Sequence, residues 1–129
     1  MTDLVKCDRC GTPFSIQTAG IRSTWSGDYM VQYFPCPGCP HRGFFYTLSK
    51  NKNYVVTGDI GCYTLGSLPP FRAIDTCVEM GASVTMAKGA ADGGQFPSVA
   101  VIGDSTFTHS GMTALLDAVN EKSNITVVI

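Results

Sequence analysis

Residues 99–111 read VAVIGDSTFTHSG, in which four apolar residues are followed by Gly103, Asp104 and Ser105. A short apolar run of this kind predicts a parallel β-strand that is covered on both faces. Gly103 permits a sharp turn, which places Asp104 at the carboxyl end of the strand, where open α/β sheets bind ligands. Mg²⁺ prefers carboxylate and phosphate oxygens, so Asp104 is a candidate ligand of a Mg²⁺ ion that also binds a diphosphate. Because Gly-Asp also occurs in ordinary turns, the neighbouring sequence decides between the two interpretations.

Apolar spacing on both sides of this stretch predicts alternating strands and helices. Strands are expected at residues 54–57, 99–102 and 125–129. Helix faces are expected from three sets of apolar residues: Phe44, Phe45 and Leu48; Met80, Val84, Ala87 and Ala91; and Met112, Leu115, Leu116 and Val119. Cys77 is expected as a small buried residue at the start of a helix. This order predicts an α/β fold with a parallel sheet, flanking helices and right-handed crossovers.

The first 35 residues differ from this pattern. They contain the cysteine knuckle KCDRCG, a polar middle and an alternating segment at residues 29–34, which predict a small β unit. We therefore expect two domains, a small cysteine-containing β unit over residues 1–35 and an α/β domain over residues 36–129.

Composition excludes several classes of protein. The 129 residues include nine basic and ten acidic side chains, and no basic run or aromatic-basic stripe suggests nucleic acid as a partner. No apolar stretch approaches the roughly 20 residues that a membrane-spanning helix needs, so no membrane association is expected. The start of the chain carries no secretory pattern, which predicts a cytoplasmic protein.

Three further blocks accompany the first in a fixed order. They are CPGCPHRG at residues 36–43, VVTGDIGCYTLGSLPP at residues 55–70, and AIDTC with MGAS at residues 73–77 and 80–83. Together the four blocks resemble the thiamine-diphosphate-binding domain of 2-oxoacid:ferredoxin oxidoreductases, most closely large subunits of the indolepyruvate type. The resemblance covers residues 36–129.

The resemblance implies an activity and a site. The activity is oxidative decarboxylation of an arylpyruvate-type 2-oxo acid with thiamine diphosphate and Mg²⁺, in which ferredoxin takes the electrons and coenzyme A takes the acyl group. Asp104 is then the expected Mg²⁺ ligand, and His41 and His109 are the expected catalytic residues, which contact the substrate or diphosphate and supply protons. The implied cofactor-binding residues are Gly58, Asp59, Gly61, Cys62, Gly103, Asp104 and Ser105.

The cysteines leave two metal sites open. Cys7 and Cys10 form one CxxC pair and Cys36 and Cys39 another, with 25 residues between the pairs, which is the spacing of a zinc ribbon that binds Zn²⁺. The family resemblance instead implies that Cys36, Cys39 and Cys62 are ligands of a [4Fe-4S] cluster, whose fourth ligand lies beyond Ile129. Cys36 and Cys39 cannot serve both metals.

Part of the implied site is expected outside the sequence. The asparagine that ends the thiamine signature falls just beyond Ile129, so we expect a domain truncated at its C-terminus, and a partner subunit or domain that completes the site. The chain alone is expected to bind thiamine diphosphate weakly and to be inactive. The alternative is a noncatalytic module that contains a zinc ribbon and serves as a binding or structural subunit.

Overall fold

The computed structural model describes residues 39–129 and, before them, the backbone of four short strands. Strand β1 (Leu4–Lys6) pairs antiparallel with β2 (Pro13–Ser15), and β3 (Arg22–Ser26) pairs antiparallel with β4 (Tyr29–Tyr33). The chain divides into two compact units, residues 1–44 and 45–129. The predicted metal ligands Cys7, Cys10 and Cys36 lie outside the described residues.

The second unit is built around a four-stranded parallel sheet in the order β6-β5-β7-β8. Its strands are β5 (Val55–Gly58), β6 (Thr76–Cys77), β7 (Ser98–Val101) and β8 (Ile125–Val128). The helices are α1 (His41–Ser49), α2 (Ala82–Asp92), α3 (Asp104–Thr106) and α4 (Met112–Asn120), with a 3₁₀ helix at Cys62–Ser67 and a π turn at Phe107–Gly111. This architecture confirms the predicted α/β fold with flanking helices.

The direction in which the chain adds strands to the sheet reverses between β5 and β7. The chain passes from β5 to its neighbour β6 on one side, and from β7 to its neighbour β8 on the other. Loops that leave two adjacent strands in opposite directions open a crevice at the carboxyl ends of those strands. Gly58 lies opposite both Cys77 and Val101, and Val101 lies opposite Val128, so all four strands end at one edge.

Two apolar clusters fix the sheet and its helices. On one side, Val84 and Ala87 of α2 form a fully buried cluster with Ala100 and Ile102, and Leu115 of α4 packs against it. A second cluster surrounds Phe45, which is also fully buried. Its ring lies 6.0 Å from the Tyr63 ring in an edge-on arrangement and 5.7 Å from the Phe71 ring.

Three sequence predictions were wrong in detail. Helix α2 begins at Ala82, and Met80 lies before it and is 50% exposed. The apolar stripe of α4 is only partly buried, because Leu116 and Val119 are each 67% exposed while Leu115 contacts the core. Cys77 lies in strand β6, where its backbone pairs with Gly58, and not at the start of a helix.

The helices are short. The longest continuous helical stretch among the described residues runs from Asp104 through the π turn to Asn120, which is still shorter than the about 20 residues that a bilayer requires. No helix among the described residues is both long and apolar enough to cross a membrane.

Candidate cofactor site

The turn after β7 presents a carboxylate at the sheet edge. Gly103 continues the extended backbone, and no described heavy atom lies within 4 Å of the position that a Cβ on Gly103 would take. Asp104 and Ser105 are both exposed, and the Ser105 N–H donates to Asp104 Oδ1 at 2.9 Å. The turn therefore offers an accessible carboxylate and an open backbone surface at the carboxyl end of β7.

The turn after β5 is held by one hydroxyl group. The Thr64 hydroxyl donates to the Asp59 carbonyl at 2.9 Å and accepts the Gly61 N–H at 3.1 Å. Gly61 has a φ of 133°, which favours glycine, and the space beside its Cα is open. Cys62, the next residue, is exposed. Thr64 thus keeps Gly61 and Cys62 at the carboxyl end of β5.

The Asp59 side chain points into the protein. It is fully buried, its Oδ1 accepts the N–H groups of Ile60 and Gly81, and its Oδ2 accepts the N–H of Ser83. Thr57 makes a second connection to the same helix, because its hydroxyl donates to the Ser83 carbonyl at 2.7 Å. Asp59 was predicted to bind cofactor, but both of its carboxylate oxygens have backbone partners.

A π turn separates α3 from α4. Such turns add one residue to a helix, leave backbone carbonyls to be satisfied by other groups, and occur frequently at functional sites. Here the Thr108 hydroxyl donates to the Ser105 carbonyl at 2.9 Å, and the Ser110 hydroxyl donates to the Thr106 carbonyl at 3.4 Å. His109 lies between them and is exposed. His109 therefore lies in the same helical stretch as Asp104, five residues further along the chain.

A cleft of about 650 Å³ opens beside the π turn. It lies between the loop that precedes α2 and the start of α4, and its lining includes Met80, Gly81, Met86, Ser110 and Ala114. Its volume is within the range of pockets that hold small ligands. Gly81 links this cleft to the sheet edge, because its N–H donates to Asp59.

Tyr63 follows Cys62 in the 3₁₀ helix after β5 and is buried. Burial raises the pKa of the Tyr63 hydroxyl above its ordinary value of 10.0, and the negative charges of Asp104 and Cys62 raise that pKa further. A phenolate near another anion is disfavoured, so Tyr63 stays protonated and neutral at physiological pH. The two turns leave neighbouring strands at the same edge of the sheet, because Gly58 at the end of β5 lies opposite Val101 at the end of β7.

We expect the Tyr63 pKa to fall when Asp104 is replaced by Asn, because one of the charges that raises it is removed. Absorbance titration of tyrosinate measures this pKa, and a Tyr63→Phe variant identifies the step that belongs to Tyr63. In the original protein, the Tyr63 hydroxyl ionises at about pH 10 in the unfolded chain and at a higher pH in the folded chain. The contribution of Tyr63 to the free energy of unfolding is therefore fully present below about pH 10 and is lost as the pH rises through the pKa of Tyr63 in the folded protein. An unchanged Tyr63 titration in Asp104→Asn would contradict a contribution of Asp104 to the raised pKa of Tyr63.

The remaining predicted residues lie in the first unit or outside the described residues. Cys39 Sγ lies 3.4 Å from His41 Nδ1, and both residues belong to the first unit. Among residues 39–129, no three His, Cys, Asp or Glu side chains form a metal-binding group. The predicted zinc and cluster sites both require Cys36, so they stay predictions.

The structure thus brings most of the predicted site to one sheet edge. The residues on the two turns and the π turn are Gly58, Asp59, Gly61, Cys62, Gly103, Asp104, Ser105 and His109. Sequence reasoning assigned no individual role to Tyr63 or Thr64, whose contacts form only in the folded loop after β5. Gly81 and Ser83 lie in the MGAS block, so the family resemblance did mark that segment.

Two glycine turns at a switch point, one of them followed by an exposed carboxylate, are typical of α/β domains that bind a cofactor through its diphosphate. Comparison with known proteins gives the particular family. The model of the C-terminal TPP-binding domain of thiamine pyrophosphate enzymes matches residues 59–129. The chain belongs to this family, whose cofactor is thiamine diphosphate (thiamine pyrophosphate, TPP).

Three relatives are each an indolepyruvate oxidoreductase subunit IorA. The protein from Thermococcus kodakarensis is 42% identical over 110 residues, which cover 73% of this chain and 17% of the relative. The protein from Pyrococcus abyssi is 41% identical with the same coverage, and that from Methanothermobacter marburgensis is 39% identical over 102 residues, which cover 73% of this chain and 16% of the relative. The chain therefore spans about a sixth of the length of these relatives. No solved structure matches it.

Proposed function

We propose that this chain holds the diphosphate and Mg²⁺ of thiamine diphosphate in an oxidoreductase that decarboxylates an arylpyruvate-type 2-oxo acid. The observation that carries the proposal is the exposed Asp104 carboxylate at the switch point of the sheet, directly after an open glycine turn. The family supports the cofactor, and the names of the relatives, which are indolepyruvate oxidoreductase subunits, support the substrate class.

The residues present fit a magnesium diphosphate. Asp104 supplies a hard carboxylate oxygen, which Mg²⁺ prefers, and Ser105 supplies a neighbouring hydroxyl. No described heavy atom lies near the open sides of Gly61 and Gly103, so each leaves room for a phosphate group to approach the backbone. When bound, thiamine diphosphate supplies the carbanion chemistry that decarboxylates a 2-oxo acid.

Each residue then has a defined task. Asp104 binds Mg²⁺, while Gly103, Ser105, Gly61 and Cys62 border the diphosphate. Tyr63, the residue after Cys62, has a raised pKa and stays neutral, so it adds no charge that would repel an anion. Gly58 ends β5 in close contact with Ile74 and starts the turn.

His109 and His41 are proposed to contact the substrate carboxylate or the diphosphate and to move protons near the reacting centre. His109 is supported by its exposure in the π turn that follows Asp104. His41 is supported by the family resemblance, as are coenzyme A, ferredoxin and a partner subunit or domain. The domain boundary after residue 35 also stays a prediction.

The substrate assay uses the native protein that contains this chain. We expect indolepyruvate to reduce a one-electron acceptor such as ferredoxin or a viologen dye, in a reaction that requires thiamine diphosphate, Mg²⁺ and coenzyme A. Pyruvate, which lacks the aryl group, serves as the control substrate and is expected to react more slowly. A failure of indolepyruvate to reduce the acceptor when all three are present would contradict the proposed reaction.

Metal analysis decides between the two predicted cysteine sites. Zinc at one equivalent, lost when Cys7 is replaced by Ser, is expected if Cys7, Cys10, Cys36 and Cys39 form a zinc ribbon. Iron with acid-labile sulfide, retained in Cys7→Ser and lost in Cys62→Ser, is expected if Cys36, Cys39 and Cys62 bind a [4Fe-4S] cluster. A protein that contains neither metal would contradict both assignments. Zinc without thiamine diphosphate binding would favour the noncatalytic module.

A further inference from the structure

We propose that Asp59 is a positioning residue that holds three loops together at the carboxyl edge of the sheet and so shapes the surface that faces the diphosphate. The proposal rests on the function proposed above. It assigns Asp59 a role that acts through α2 and the π turn, without contact between its carboxylate and the cofactor.

The first part of the argument is the set of bonds made by the Asp59 carboxylate. Oδ1 accepts the Gly81 N–H at 2.7 Å and the Ile60 N–H at 3.0 Å, and Oδ2 accepts the Ser83 N–H at 3.1 Å. Gly81 is the N-cap residue of α2 and has no side chain to satisfy the first N–H groups of the helix. Asp59 performs this task from 22 residues earlier in the chain. The helix therefore begins at a point fixed by the loop after β5.

The second part is the contact between Gly81 and the π turn. Gly81 has a φ of 90°, and a Cβ at this position would collide with the side chain of Ser110. The Ser110 hydroxyl also donates to the Met80 carbonyl at 3.2 Å. The backbone of Met80 and Gly81, which Asp59 holds in place, is thus in direct contact with Ser110 of the π turn. Displacement of Gly81 moves Ser110 and, with it, the segment that carries His109.

The third part is charge. A second solvent-facing carboxylate beside the diphosphate that binds no Mg²⁺ would repel it, because both groups are anionic. The Asp59 carboxylate is instead fully buried and accepts three backbone N–H groups, two of which, those of Gly81 and Ser83, lie at the amino end of α2. Helix amino ends stabilise negative charge. Asp59 can therefore join the loops after β5, β6 and β7 without presenting its charge to the cofactor.

The test compares two Asp→Asn substitutions in the native protein that contains this chain. Asn at position 59 keeps one acceptor oxygen but places an NH₂ donor against a backbone N–H, so Gly81 or Ser83 loses its partner. Asp75→Asn is the matched control, because Asp75 Oδ2 also accepts a single backbone N–H, that of Val56, at 2.8 Å. Val56 lies in the first half of β5, away from the carboxyl edge.

Two quantities are measured in both variants: the Kd for thiamine diphosphate with Mg²⁺, and hydrogen exchange of the Gly81 and Ser83 amides. For Asp59→Asn we expect the Kd to rise about tenfold and exchange to accelerate by a similar factor, the size expected for loss of a charged hydrogen bond. For Asp75→Asn we expect the Kd to stay within about twofold of its original value, since lost stability alone does not change the site.

Each outcome decides the proposal. Equal Kd changes in the two variants, or unchanged Gly81 and Ser83 exchange in Asp59→Asn, would overturn it. If the unchanged protein does not bind thiamine diphosphate, the proposed function fails, whereas the exchange data still decide whether Asp59 holds the loops. If Asp59→Asn does not fold, Ser110→Ala replaces it, because this change removes only the bond to Met80 and the bond to Thr106. Ser110→Ala is then expected to weaken cofactor binding, and unchanged binding would overturn the proposal.

Discussion

Replacing Asp104 by Asn is expected to lower the affinity for thiamine diphosphate in the presence of Mg²⁺ by about ten- to a hundredfold. Asn keeps the size of the side chain but removes the negative charge that binds a divalent cation. Losing a contact to a charged group costs about 1.5 to 3 kcal/mol, which corresponds to that range of affinity. Titration calorimetry of the native protein measures the change.

Asp117→Asn is the control for this substitution. Asp117 is an exposed carboxylate of α4, 3.7 Å from Lys88 Nζ, and exposed ion pairs of this kind contribute little to stability. We expect its removal to leave cofactor affinity unchanged. If Asp104→Asn binds the magnesium complex as tightly as Asp117→Asn does, Asp104 is not the metal ligand.

Replacing Ile102 by Ala is expected to lower the free energy of unfolding by about 2 to 5 kcal/mol. Ile102 is fully buried in the cluster that joins α2 to the sheet, and it directly precedes the Gly103 turn. Its Cδ1 also lies where a Cβ on Gly111 would be, so it supports the end of the π turn. The truncation leaves a cavity beneath the proposed site. Denaturant unfolding measures the loss of stability.

Two controls separate packing from general sensitivity to substitution. Ile102→Val removes one methyl group and is expected to cost about 0.5 to 1.5 kcal/mol. Leu116→Ala removes an equally apolar side chain that is 67% exposed, so a change within about 0.5 kcal/mol is expected. A loss for Ile102→Ala no larger than that for Leu116→Ala would contradict the assignment of Ile102 to the core.

The regular elements could be predicted where apolar spacing repeats. The predicted strands at residues 54–57, 99–102 and 125–129 lie within one residue of β5 (Val55–Gly58), β7 (Ser98–Val101) and β8 (Ile125–Val128). Strand β6 (Thr76–Cys77) was missed because two residues form no recognisable period, and its pairing with β5 is a tertiary contact. The π turn has no periodic signature either.

The candidate site could be predicted only in part. The position of Asp104 at the end of β7 follows from an apolar run that leads into Gly103, which is a local signal. The partners of Asp59 lie 22 and 24 residues away, so no local pattern identifies it as the cap of α2. The raised pKa of Tyr63 depends on burial and on Asp104, which is distant in sequence. Local residues therefore indicate the chemistry, and tertiary contacts decide which side chains remain available for it.

Titration calorimetry with thiamine diphosphate and with thiamine tests the central claim most directly. The native protein that contains this chain is titrated with each compound, in the presence and absence of Mg²⁺. We predict saturable binding of thiamine diphosphate that requires Mg²⁺, and much weaker binding of thiamine, because Asp104 and the glycine turns recognise the magnesium diphosphate. Absence of binding, equal affinity for thiamine, or binding of thiamine diphosphate that is indifferent to Mg²⁺ would contradict the claim.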